Sequence, residues 1–570
     1  SPLQISIHLD LTSPAGREYT QGDFISGHVL VCNPTAQNIP FSMFSVVLEG
    51  KVSVLNQSDA SGEQKPPLIF YKFINMFDYN ASWTPATFSG EGDEIDPLDG
   101  SKLYFPMEKY VQANTTYKRF FNFTIPNKLL DCACEIHNFP LHSEVLPNFG
   151  LARDEFLSQL RQTRDPNAAA VASSAHKLPS SASKPASRPG LFPIKSNSKI
   201  TTPLERTKKI ATKPTPLVRD FCFPDTSLSY SIEARLIGRA FDFPGHFDVD
   251  VDQFVLVNEA SHYLRVVPQE RLRAEISQAQ IVKESRLVYE NFVNHVEELI
   301  KNANEVKGGI QPRRPSILKR PELFHSQLKE RIDLAYHMKI DVVKRSLSTV
   351  KPMGTFHLET PKTEYFIDYV SDLQSEKGHV NTSMQIPFKF KFFGNVKPPE
   401  VKLAQSELVI FTYRSKKYFF PIEIYHDMLF QNTGSKLDNF ETIVQQRARS
   451  QLVKLNGLSQ ELGFEKVQIP KQTWMDIKSV ARLETKYNNI KLEQTRLSAV
   501  HWTQGKDFWE AEMMISVDAS KYKTDDRTKY RLVPSFQSCV VGRMYYLNVL
   551  LLVSGSEILV KLPVIIERHQ

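Results

Sequence analysis

A chain of 570 residues, 41% hydrophobic and 23% charged, has material for two or more domains with substantial cores and falls in the globular class with solvated segments. No apolar run approaches the roughly 18–20 residues of a spanning helix, so any membrane contact is expected to be peripheral. The net charge of +7 is modest for this length and sits mainly in one stretch. Between Lys177 and Arg219 there are ten Lys/Arg against one acid, Glu205.

In chain order, residues 1–150 read as short strands. Val29 and Val31 alternate with outward neighbours, as do Phe44, Val46 and Leu48, then Val52 and Val54. Tyr117 to Ile125 is a further strand, stopped by Pro126. This is the texture of a β-sandwich. From about 155 to 219, Ser, Ala, Pro and Lys dominate and aromatics nearly vanish, so a disordered basic insertion is expected there. Leu228 to Leu236 then alternates over nine residues, the pattern of a half-buried antiparallel strand, and 252–257 with 263–267 would close a first sandwich over 1–267.

After Pro268 the period changes. Val288, Phe292, Val296 and Leu299 follow at helical spacing, and a second helix is expected within 322–347, which makes 268–348 a helical linker. Strands return over 350–430, at Phe356–Leu358, Tyr365–Ile367, Ile386–Phe392 and Leu408–Phe411. Val444, Ala448, Leu452 and Leu455 mark a helical insertion over about 435–500. The chain closes on two apolar runs, 545–553 and 557–566, separated by a short turn. The fold class is therefore mainly β: two immunoglobulin-like sandwiches, the second spanning 349–570, with helical and disordered insertions. The apolar helix stripes are expected to pack in the core.

Chemistry-bearing motifs are few. There is no Gly-x-Ser-x-Gly, His-Glu-x-x-His or Gly-Lys-Ser/Thr pattern, so no catalytic or cofactor-binding residues are assigned, and the protein is not expected to be an enzyme. The five cysteines, at 32, 132, 134, 222 and 539, form an odd, scattered set suited to a reducing compartment. Cys132-Ala-Cys134 has the wrong spacing for a zinc knuckle, so no metal site is expected. Asp248, Asp250 and Asp252 share a strand face, read as polar surface. Within the basic stretch, Lys195, Lys199, Arg206, Lys208, Lys209 and Lys213 are the candidates for contact with an anionic surface such as acidic lipid or an acidic tail. Nucleic acid is not expected, since the stretch lacks interleaved aromatics for base stacking. Ser316, after Arg313-Arg314-Pro315, is a candidate phosphosite for a phospho-dependent regulatory binder.

The opening set Tyr19, Gly22, Asp23, Gly27, Val29 and Asn33-Pro34, the pairing of Phe121–Pro126 with Ser229–Leu236, and the final hairpin together resemble the arrestin fold. Within it, the long insertions, Phe73–Trp83 and Phe221–Tyr230 resemble the fungal Bul family. That resemblance implies a cytoplasmic adaptor, peripheral to plasma, Golgi or endosomal membranes. It would recruit a Nedd4-type HECT ubiquitin ligase to permeases, reading their cytosolic tails, for ubiquitylation, endocytosis and sorting. A retromer-like sorting scaffold shares the fold and needs no ligase, and a β-sandwich enzyme is the alternative from another class. One departure stands out. Such adaptors dock WW domains through Pro-Pro-x-Tyr, whereas Pro66-Pro67 is followed by Leu68-Ile69 and Pro398-Pro399 by Glu400-Val401. Either the docking motif lies upstream of Ser1, where the chain begins without Met, or this member binds its ligase otherwise, or it binds none.

Overall fold

A computed structural model describes residues 3–10, 17–54, 68–84, 94–150, 217–243, 253–269, 278–310, 335–345, 350–371, 381–432, 438–467, 469–493, 500–520 and 528–568. Alternating apolar residues put one face of each strand inward, and four principal sheets pair into two sandwiches. In the first lobe, Gln4–Leu9, Phe24–Asn33 and Thr115–Thr124 form one sheet. The other runs in the order Glu18–Tyr19, Phe254–Val266, Thr226–Arg239, Met43–Val54 and Leu68–Phe77, with Phe149–Gly150 attached to Thr226–Arg239. Ile25, Val29, Val31, Tyr117 and Phe121 from the first sheet meet Phe44, Val46, Leu48, Tyr230, Ile232 and Ala234 from the second.

The second lobe sets the sheet Ala335–Arg345, Val350–Pro361, Ser383–Phe393, Trp509–Asp518, Thr503–Gln504 against the sheet Tyr365–Asp368, Ser556–Glu567, Val541–Val553, Val401–Arg414, Glu484–Lys491. The closing hairpin places Leu547 opposite both Leu562 and Leu408. This is the mainly β, two-sandwich architecture expected from the sequence.

Both helical stripes are core. Phe292, Val296 and Leu299 of the 30-residue helix Gln278–Lys307 are buried against the second lobe, as are Ala448, Leu452 and Leu455 of Gln446–Leu462 and Ile477 and Val480 of Lys471–Arg482. Among the described residues, no helix is long and apolar enough to cross a membrane.

Four local expectations are corrected. The helix expected within 322–347 is, over its described part, the strand Ala335–Arg345, paired with Val350–Pro361. The alternation Tyr336, Met338, Ile340, Val342 is the period-2 signal that decides it. Strands of the second lobe therefore begin before 349. The helical insertion ends at Arg482, and Glu484–Lys491 adds an edge strand to Val401–Arg414. At the end of the expected disordered insertion, Leu217–Arg219 is a strand running parallel to Thr528–Tyr530. The strands expected at 252–257 and 263–267 are, over their described part, one strand, Phe254–Val266.

Thr226–Arg239 is also more than half-buried. Its second face carries Ser229, Ser231 and Glu233, which are buried too. They lie under an ion network. Glu49 Oε1 accepts from Lys72 Nζ and Arg235 Nη1, each at 2.7 Å, and Lys51 Nζ lies 2.8 Å from Glu233. Burial pushes the Glu49 carboxyl up, but the hydrogen bonds from Arg235 and Lys72 overcome it and hold it down at about 2.

Two outcomes follow from this geometry. Gly22 occupies the left-handed region at φ 81° in the turn where the Asp23 N–H returns to the Thr20 carbonyl. A Cβ on Gly27 would sit 2.2 Å from the His8 carbonyl oxygen on the neighbouring strand. Gly27→Val should cost on the order of 3 kcal/mol, read as a lower Tm. Glu49 ionises more readily folded than unfolded, so its contribution to stability is present above pH 4.5 and is lost as pH falls from 4.5 towards 2. Glu49→Gln should be the less stable protein at pH 7, and the gap to wild type should close across that window in pH-dependent urea unfolding.

Candidate functional site

The two lobes meet across a polar seam, and the seam is built by chain segments that cross it. Residues 533–541 precede the second lobe's closing hairpin in sequence. Their side chains Val533, Phe536, Cys539, Val540 and Val541 nevertheless lie in the first lobe's core. From the other side, the first lobe's loop over 126–148 reaches the second lobe. Its Leu141 N–H donates to Glu423 Oε1 at 2.9 Å, and its His137 Nε2 lies 3.2 Å from Asp476 Oδ1 on the helix Lys471–Arg482.

Three buried arginines fasten this junction. Arg543 is fully buried. Its Nε donates to Thr412 Oγ1 at 2.8 Å and its Nη1 to the Asp220 carbonyl at 3.0 Å, while the guanidinium lies 5.3 Å from the Phe149 ring. Arg414 Nη1 donates to Asp225 and Thr226 of the first lobe, its Nη2 donates to Glu484, and its guanidinium lies 4.2 Å from the Phe223 ring. Arg265 Nη1 donates to the Asn148 carbonyl at 2.8 Å and Nη2 to Tyr369 Oη at 3.1 Å. Tyr369 in turn donates to Glu18 Oε1 at 2.9 Å. A planar, always-charged fork suits each position, because several acceptors on two lobes must be met at once.

Glu423 is the buried acid of the seam. Ser285 Oγ also donates to it, at 3.1 Å, and burial pushes its carboxyl above the ordinary range. Beside it, a cleft of about 90 Å³ opens between the lobes, lined in part by Glu144, Gln269, Ser285, Glu364, His426 and Arg568.

At the centre of the seam is a sulfur–imidazole cluster. Cys134, His142 and Cys539 present donor atoms all within 4.8 Å of one another, and all three side chains are buried. Two short 3-10 turns, Asp131–Cys134 and Leu141–Ser143, supply the first two, and Cys539 comes from the crossing segment 533–541.

The residues singled out in the sequence lie elsewhere. Lys195, Lys199, Arg206, Lys208, Lys209, Lys213 and Ser316 all fall outside the described residues, as do Asp248, Asp250 and Asp252. The seam residues gave no sequence signal, because Arg543 and Asp220, or Cys134 and Cys539, are separated by hundreds of positions and match no local spacing.

Two stacked sandwiches joined by short crossing segments, with helices packed on the second, define an arrestin-like scaffold. Comparison with known proteins narrows this. The model of the family described as Bul1 N terminus matches residues 9–327, and the chain belongs to the Bul family of arrestin-related proteins. It is 27% identical over 262 residues to "Ubiquitin ligase-binding protein BUL2" of Saccharomyces cerevisiae, covering 44% of this chain and 22% of that protein. It is 25% identical over 258 residues to "Ubiquitin ligase-binding protein BUL1" of the same yeast, covering 44% and 21%. A third yeast relative, "Bypass of stop codon protein 5", is 34% identical over 145 residues, or 24% of this chain and 28% of that protein. The aligned stretches thus span between a fifth and a third of the length of these relatives.

Arg543→Met removes the donors that meet Thr412 and the Asp220 carbonyl and leaves the buried Thr412 Oγ1 without its Arg543 partner. It should destabilise the protein by about 2–4 kcal/mol in chemical unfolding. Arg543→Lys should not restore the loss, since an ammonium lacks the planar fork.

Proposed function

We propose that the chain is an adaptor that binds a Nedd4-type HECT ubiquitin ligase and the cytosolic tails of membrane permeases, directing those cargoes to ubiquitylation, endocytosis and sorting. The observation that carries the reading is membership of the Bul family together with the two relatives described as ubiquitin ligase-binding proteins. The architecture is compatible with it. A double sandwich braced by buried arginines offers large sheet faces on a rigid frame, the kind of scaffold a binding protein needs. In this reading the protein works in the cytoplasm, at the surface of plasma, Golgi or endosomal membranes, with Ser316 as a regulatory phosphosite and the basic residues from Lys195 to Lys213 meeting anionic surfaces.

The ligase contact can be tested through the missing tyrosine. Val401, at the tyrosine position after Pro398-Pro399, is buried in the second lobe's core, and Pro399 is buried with it. That pair cannot enter a WW groove as a free polyproline segment. Pro66-Pro67 carries Ile69 at the same position. Titrated against isolated WW domains of a Nedd4-type ligase, residues 1–570 should bind weakly, and the complete gene product with any residues upstream of Ser1 should bind saturably. In cells, loss of the gene should lower permease ubiquitylation. A gene product that neither binds the WW domains nor co-precipitates with the ligase would overturn the reading.

A further inference from the structure

The cluster at the seam has the make-up of a metal site rather than of a packed core. Cys134 Sγ and Cys539 Sγ are 3.3 Å apart, Cys539 Sγ lies 3.3 Å from His142 Nδ1, and Cys134 Sγ lies 3.9 Å from the same nitrogen. A tetrahedral zinc with bonds of about 2.3 Å to sulfur and about 2.05 Å to nitrogen places two sulfurs roughly 3.8 Å apart and a sulfur and a nitrogen roughly 3.5 Å apart. The three observed separations bracket those values, so the atoms need move only by tenths of an ångström to hold one ion.

A fourth imidazole stands near them but outside the group of donor atoms that lie within 4.8 Å of one another, so it would have to turn inward to share an ion. His137 is nine-tenths buried, and its Nδ1, close to Cys134, makes no hydrogen bond of normal length. A buried imidazole nitrogen without a partner is costly unless something unseen meets it. The other ring nitrogen of His137 faces Asp476 Oδ1 at 3.2 Å, and Asp476 is itself held by Gln472 Nε2 at 2.6 Å. A carboxylate behind a histidine in this way fixes the ring's tautomer and leaves the opposite nitrogen as the ligand. The Phe139 N–H also points at Cys134 Sγ, at 3.4 Å, where it would stabilise a thiolate.

We propose that Cys134, His142 and Cys539 bind one zinc ion, with His137 turning inward as the fourth ligand, and that this ion staples the two sandwiches of this protein together. Three ligands come from the first lobe's 126–148 loop and one from the segment 533–541. The helix Lys471–Arg482 of the second lobe supplies the supporting carboxylate through Asp476. With His137 turned in, the site has four protein ligands in a buried setting, is structural and leaves no open position for a substrate. Sequence spacing hides it. Cys134-x-x-His137-x-x-x-x-His142 is a compact three-ligand run, but its fourth member is 405 residues away from Cys134.

Metal analysis of the protein purified under reducing conditions from zinc-supplemented cells tests this. The expected result is one zinc per chain, falling to background in Cys539→Ala and in His142→Ala and unchanged in Cys32→Ser. Replacement by Co2+ should give the near-ultraviolet charge-transfer band of thiolate ligands and the visible spectrum of a tetrahedral site. A chelator should lower the Tm of wild type and leave that of Cys539→Ala unmoved. Asp476→Asn, which leaves all four ligands in place, should weaken zinc binding about 10–100-fold in competition with a chelating dye. Because that variant keeps the ligands, it tests the site even if Cys539→Ala folds poorly. Absence of zinc from the folded, reduced wild type, with no stoichiometric uptake of added Zn2+ or Co2+, would overturn the proposal. So would a Cys134–Cys539 disulfide found by mass spectrometry in protein alkylated directly from cells.

Discussion

The constraint on which the rest of the structure depends is the placement of residues 533–541. They are covalently part of the second half of the chain, yet Val533, Phe536, Cys539, Val540 and Val541 are packed in the first lobe's core. The strand Val541–Val553, which they lead into, is central to the second lobe's sheet, between Val401–Arg414 and Ser556–Glu567. The first lobe's core is not complete without the second half of the chain. Apolar side chains of this size each gain roughly 1.5–3 kcal/mol on burial, so separating the lobes would expose several of them together. The relation between the sandwiches is thereby fixed by packing rather than left to a linker.

Around that anchor, the seam is polar where a simpler interface would be apolar. Arg543, Arg414 and Arg265 are buried and meet acceptors on both sides, and Tyr413 Oη both donates to the Ser538 carbonyl and accepts from the Ser538 N–H. Buried charges of this kind add little net stability over well-packed apolar groups, but a misaligned pairing leaves them unsatisfied at a large cost. The arrangement therefore selects one relative placement of the lobes. Close backbone approach reinforces it. A Cβ on Gly542 would lie 2.3 Å from the Tyr413 ring, so the hairpin can only start where a glycine allows that ring to pass.

In the proposed adaptor role, a fixed frame has a plain physical use. Surfaces on two domains act as one binding face only if their separation is set before the partner arrives, since ordering them on binding would consume part of the affinity. The helices Gln278–Lys307, Gln446–Leu462 and Lys471–Arg482 thicken the second lobe on its flank, and the last of them also touches the seam through Asp476.

What the sequence by itself determined is the local grammar. The period-2 runs of Phe24–Asn33, Thr226–Arg239 and the final hairpin, and the 4, 4, 3 spacing of both helix stripes, are local signals that burial on one face imposes on neighbouring residues, and they were legible. Where that grammar was misread, at Ala335–Arg345, the alternation Tyr336, Met338, Ile340, Val342 was present but overlooked beside the helical reading of 322–347. Thr226–Arg239 looked half-buried because alternation cannot reveal that Glu49, Lys51 and Lys72 cover its polar face from other strands. The candidate site was not legible at all. Arg543 meets Asp220, Arg265 meets Tyr369, and Cys134 meets Cys539 only after both sandwiches have closed and the segment 533–541 has crossed between them. Contacts between residues hundreds of positions apart leave no period or spacing in the chain, so only the tertiary structure could decide them.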